Sequence, residues 1–179
     1  MRAPARRRSS GMTLIELMIG VAILGVVVMI ALPNFRQMLR NYEVRAAAES
    51  VANGLHRART EAIAKNTDVF FQLGAGTAWT VDFVNKPVVT DPPLDSRASN
   101  EGSPNASLTA LATDLVTPAT RITFNNLGQV IANVPAAPTL AQVNVTGTEA
   151  TQTLRVTIGA GGNARVCDPS LPAGNVRAC

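Results

Sequence analysis

Between Gly11 and Leu32 the chain reads GMTLIELMIGVAILGVVVMIAL, and its one ionisable side chain there is Glu16. A carboxylate in an apolar membrane helix costs about 2.5–3.5 kcal/mol on insertion scales, and a residue that carries this cost usually has a functional partner. Two thiols, Cys167 and Cys179, fall in the final CDPSLPAGNVRAC, where Pro169, Pro172 and Gly174 allow the chain to turn back on itself. Outside the cytoplasm a disulfide is the default for such a pair. Free thiols or a metal are the alternatives, although two sulfurs without a nearby histidine make a poor zinc site. Arg155, Arg165 and Arg177 surround the same loop, with Asp168 the only acid after Glu149. They form either a basic patch suited to DNA phosphates or a set of solvated charges. The single histidine, His56, shares a polar helix face with Asn53, Arg57 and Thr60 and reads as solvated. No nucleophile is paired with a base and no glycine loop precedes a helix, so neither catalysis, a cofactor nor a metal is expected.

The elements that position these residues follow from charge and periodicity. Met12–Leu32, at about 1.5 Å per residue, makes a helix of about 30 Å, the thickness of a bilayer's hydrocarbon core. Arg2, Arg6, Arg7 and Arg8 precede it without an acid, and beyond Gly11 bases and acids balance. Positive charge stays on the cytoplasmic side, which places the remainder across the membrane. No small-residue cleavage pattern follows at Leu32-Pro33-Asn34-Phe35, so the apolar run is expected to be kept. Pro33 leaves the carbonyl of Met29 without its amide donor and is expected to kink or loosen the helix there.

From Asn34 to about Lys65 two apolar stripes appear. Phe35, Met38, Leu39, Tyr42 and Ala46 form one; Val44, Ala48, Val51, Leu55, Ala58 and Ala62 form the other. The first is assigned to other subunits or lipid, the second to the chain's own head. Glu61 and Lys65 have the spacing of a favourable surface pair. After Asn66, β-branched residues punctuated by turn formers predict strands at 68–73, 79–84, 121–124, 129–133, 143–146, 154–158 and 165–166, paired antiparallel. Residues 85–120, with five prolines and an acidic excess, read as a long loop with one helical turn near 108–115.

The order Gly11-Met12-Thr13-Leu14-Ile15-Glu16-Leu17 resembles the prepilin motif of type IV pilins and type II secretion pseudopilins. RARTEAIAKN at 57–66, ITFNNLGQV at 122–130 and ARVCDP at 164–169 narrow the resemblance to the GspH/FimT minor pilins and pseudopilins. The resemblance implies an α+β, type IV pilin-like fold: a long amino-terminal helix packed on an antiparallel, β-sandwich-like head. It divides the chain into a cytoplasmic leader (1–11), a transmembrane and filament-core helix (12–33), an amphipathic second half (34–66) and an extracytoplasmic head (67–179). It implies that a prepilin peptidase cuts between Gly11 and Met12 and methylates the new amine. Glu16 would pair with the amine of a neighbouring Met12 during assembly, and Pro33 would mark where the helix loosens.

The expected function is that of a structural subunit priming a type IV pilus or a type II secretion pseudopilus. Its partners would be other pilins or pseudopilins, with inner-membrane lipid around the helix before assembly and the head in the periplasm. The alternative is DNA capture for transformation through Arg155, Arg165 and Arg177. Some DNA-uptake relatives use Gly-Arg-x-Arg, where this chain has Gly162-Asn163-Ala164-Arg165.

Overall fold

The computed structural model describes residues 12–86 and 88–179. The leader and Gly11, half of the expected cleavage site, lie outside the described residues. A helix, α1, runs from Leu14 to Lys65, and two compact units divide the chain between Arg36 and Gln37. In the first unit every apolar side chain from Met12 to Leu32 is exposed, and an 18-residue window of the helix has a mean hydropathy of 2.7. By length and composition this segment is apolar enough to cross a membrane. Pro33 lies inside the helix and does not terminate it.

In the second unit the head-facing stripe is buried as expected: Val44, Ala48, Val51, Leu55, Ala58 and Ala62 are each fully covered. Phe35 in the first unit, and Met38, Leu39 and Tyr42 in the second, remain about half exposed. Five alanines on the covered side, Ala47, Ala48, Ala52, Ala58 and Ala62, keep the helix surface low together with Gly54. A Cβ at Gly54 would lie 2.7 Å from Cε2 of Phe71 and 3.1 Å from Cδ2 of Trp79. Phe71 cannot yield, because it is fully buried with its ring centroid 5.8 Å from that of Trp79, whose indole N–H donates to Ser50 Oγ at 2.8 Å. Gly54→Ala should therefore lower stability by about 1–2 kcal/mol in a thermal or denaturant melt, overpacking exceeding the gain of about 1 kcal/mol in helix propensity.

The helix ends where Asn66 adopts a positive φ of 52°. Asn66 N–H donates to the Ile63 carbonyl and Thr67 N–H to the Ala62 carbonyl, a Schellman motif that satisfies two otherwise free carbonyls. The expected Glu61–Lys65 pair is replaced by Arg57–Glu61 at 3.0 Å, one turn earlier on the same face.

Nine strands follow among the described residues. Val69–Leu73 (β1), Trp79–Phe83 (β2), Asp95–Arg97 (β3), Arg121–Phe124 (β5) and Val130–Ile131 (β6) form one antiparallel sheet in the order β3-β2-β1-β5-β6. Ala106–Ala112 (β4), Leu140–Gly147 (β7), Leu154–Ile158 (β8) and Ala164–Cys167 (β9) form the other in the order β4-β7-β8-β9. Alternate residues of both sheets, among them Val69, Phe71, Ile122, Phe124, Val143, Val145 and Val156, share one core with the buried helix stripe. This is the antiparallel, two-sheet head on a long helix that the sequence predicts.

The stretch 85–120 departs from expectation. It is not one long loop: it contains β3 and β4, and the helical turn placed near 108–115 is strand through Ala112 and then a turn. The segment ASLTALA has helix-forming alanines and leucines, but pairing with β7 from Ala106↔Gly147 to Ala112↔Leu140 overrides that preference. Strand β7 also begins earlier and ends later than predicted, at Leu140 and Gly147.

Candidate assembly site and carboxyl-terminal loop

The first unit begins with a reciprocal cap. Thr13 Oγ1 accepts from the backbone N–H of Glu16, while Glu16 Oε2 accepts from both the backbone N–H and the hydroxyl of Thr13, all at 3.3 Å. This T-x-x-E arrangement is a capping box; the first helical bond runs from Leu17 N–H to the Thr13 carbonyl at 3.2 Å. Glu16 is therefore held at the positive end of the helix with one oxygen, Oε1, free of these bonds. The sequence reading recognised the favourable position of the carboxylate and missed the role of Thr13, although Ser/Thr followed three residues later by Glu is itself the signal.

In the second unit two of the three phrases that narrow the resemblance, 57–66 and 122–130, come together. Arg59, from the helix, donates Nε–H to the Gly128 carbonyl at 3.0 Å, and Asn126 donates to Asn66 Oδ1 at 2.9 Å. Asn125 Oδ1 accepts from the backbone N–H groups of Leu127 and Gln129, shaping the connection between β5 and β6. Gly162 completes the cluster: its φ is +77°, and a Cβ there would stand 2.6 Å from the Gly128 carbonyl oxygen. These residues lock the helix end to both sheets, so their role is architectural.

At the carboxyl end Cys167 and Cys179 are bonded, with Cα atoms 5.1 Å apart. Arg165 donates to the carbonyls of Val176 and Ala178 at 2.8 and 2.9 Å, bracing the loop that the disulfide closes. Asp168 N–H donates to the Arg177 carbonyl at 2.7 Å. The Asp168 carboxylate is held below its usual pKa mainly by the hydroxyl and N–H of Ser170, with a smaller contribution from the charge of Arg177. Arg155 donates to Asn144 Oδ1 at 2.8 Å. Two of the three candidate phosphate contacts thus serve the chain's own hydrogen bonding, and Arg177 is exposed.

A cavity of about 140 Å³ lies beside this loop, lined by Arg45, Glu49, Gln152, Asp168 and Arg177 among others. Arg45 and Glu49 pair with each other at 2.9 Å. His56 is exposed, and among the described residues no group of three His, Cys, Asp or Glu is placed to hold a metal. Arg121, which sequence reasoning passed over, stacks its guanidinium 3.8 Å above the Phe70 ring, and partial burial lowers its pKa. Such a cation–π contact has no signature in local sequence, because β1 and β5 are adjacent only in the sheet.

Comparison with known proteins bears on this geometry. The family model described as type II transport protein GspH matches residues 47–162, and that of the prokaryotic N-terminal methylation motif matches residues 6–32. No curated protein matches the chain. Among solved structures, the type IV minor pilin FimU of Pseudomonas aeruginosa is similar with a TM-score of 0.51 and 21% identity, over 73% of this chain and 93% of its own. The minor pseudopilin EpsH from the type 2 secretion system of Vibrio cholerae has a TM-score of 0.51 and 18% identity, over 72% of this chain and 99% of its own. At these identities the likeness is one of fold.

Proposed function

The chain belongs to the family of type II transport protein GspH, and on that premise we propose that it primes assembly of a type IV pilus or a type II secretion pseudopilus. The observation that carries this reading is the pairing of an exposed apolar helix with a single carboxylate at its amino end. A helix apolar on every side needs lipid or other apolar helices around it. In the membrane Glu16 is partly satisfied by Thr13, and in the filament its free oxygen takes the terminal amine of a neighbouring subunit.

The N-terminal methylation motif implies processing by a prepilin peptidase, and the proposed cut lies between Gly11 and Met12, with methylation of the Met12 amine. Before assembly the chain is a single-pass inner-membrane protein with its leader in the cytoplasm and its head in the periplasm. Arg2, Arg6, Arg7 and Arg8 support that orientation. Helix 12–33 then moves from lipid into the filament core, Pro33 easing the adjustment, while 34–66 and the head 67–179 stay outside the membrane throughout. Capture of DNA is not needed for this role. The experiment that tests the reading compares the wild-type chain with Glu16→Ala and Glu16→Gln in membranes and in isolated filaments.

A further inference from the structure

Strand β4 lies at the edge of its sheet. Ala119 N–H donates to the Ala110 carbonyl and Ala112 N–H to the Thr117 carbonyl, which identifies the even-numbered residues as those whose main-chain groups point away from β7. The N–H of Ala106 points the same way and is taken by the Ser103 carbonyl. Four groups remain on that edge: the carbonyl of Ala106, the N–H and carbonyl of Leu108, and the N–H of Ala110. None of them bonds to another backbone group among the described residues.

Sheet edges in native proteins are usually blunted by charge, proline, a bulge or a cover. Ala106–Ala110 reads ASLTA, without charge or proline, and the register shift in β4 comes only after it, at Leu111/Ala112. Alongside runs an open groove of about 490 Å³, lined by Leu73, Gly74, Gly76, Leu108, Pro118 and Thr120 with no charged residue in its wall. At one end stands the turn after β4, where Leu115 has a φ of +58° and Leu115 and Val116 are 56% and 78% exposed. Asp114 Oδ1 fixes that turn by accepting from the N–H groups of Val116 and Thr117.

We propose that the Ala106–Ala110 edge of β4 is a strand-addition site that takes an extended, uncharged segment of another protein. Alternating main-chain donors and acceptors are matched by another extended backbone, and the added strand directs every second side chain into the groove. A wall without lysine or arginine offers nothing to a phosphate backbone. The occupant therefore carries apolar residues at alternate positions and no charge on the groove side. Leu115 and Val116 extend the apolar contact past the end of the strand.

The test uses the full chain in its producing cells, with a photo-crosslinking amino acid in place of the exposed Ser107. Adducts are digested and the joined peptide is sequenced. The expected result is one dominant adduct to an uncharged, alternately apolar segment of another protein. Its yield should fall at least tenfold with Ala110→Pro, which removes an outward N–H and no bond to β7. Thr109→Lys, at an exposed position, should reduce it similarly by charging the edge. Melting of each variant in detergent reports whether the head stays folded, and Thr109→Lys carries the test if Ala110→Pro unfolds. Absence of an adduct, an adduct to lipid, nucleic acid or a second copy of this chain, or a yield that survives both substitutions would overturn the proposal.

Discussion

Glu16→Ala chains are expected to reach the membrane at wild-type levels and to be depleted at least tenfold from isolated filaments. Removing the carboxylate relieves the insertion cost of about 2.5–3.5 kcal/mol, so membrane entry is not the step that suffers. The substitution also breaks the reciprocal bonds with Thr13, which loosens the first helical turn by about 1 kcal/mol. Loss of the ion pair with a neighbouring amine is the larger effect, because it leaves that amine unpaired among apolar helices, a change of about 3–5 kcal/mol in buried pairs. Glu16→Gln separates the two contributions: the amide oxygen still accepts from Thr13, but the charge is gone. Immunoblots of membrane and filament fractions should show the Gln variant nearly as depleted as the Ala variant. Thr13→Ala, which removes the hydroxyl and keeps the charge, should be incorporated far better than either.

Loss of the Cys167–Cys179 bond carries the second large effect. Closing a loop of twelve residues' separation stabilises by about 3 kcal/mol in the chain-entropy model, through the unfolded chain. For a head of this size that corresponds to a fall of about 10 °C in melting temperature. Cys167→Ser together with Cys179→Ser, or treatment with a reductant, should produce the shift in the full chain in detergent. Strand β9 should persist at low temperature, because its ladder to β8 runs from Ile158↔Ala164 to Arg155↔Cys167 independently of the bond. The loop itself should become the first site of proteolysis. Arg165 then contributes more than in the oxidised protein, since its bonds to the Val176 and Ala178 carbonyls become the main tether.

What was legible in the sequence divides along physical lines. The covered helix stripe was readable because a 3.6-residue period is set by the helix alone, and Val44 through Ala62 are buried as that period requires. Strands β1, β2, β5 and β8 were readable because alternation and β-branched residues coincide there. Strand β4 was not: ASLTALA lacks both signals and becomes a strand only through β7, whose paired residues, from Leu140 opposite Ala112 to Gly147 opposite Ala106, are distant in sequence. The partner of Glu61 was misjudged because Arg57 and Lys65 are equally spaced from it, and spacing alone does not choose between them. Of the candidate site, Glu16 and the cysteines announced themselves by isolation. Thr13, Arg59 and Arg121 did not, since each acts through a hydrogen bond or stacking contact that composition does not mark.

The measurement that bears most directly on the account is the intact mass of the chain extracted from the cell envelope and from isolated filaments. A pilin-like subunit predicts one species that begins at Met12, lacks residues 1–11 and carries a single methyl group on its terminal amine. A chain that retains its leader, or that begins beyond the apolar helix, would contradict it.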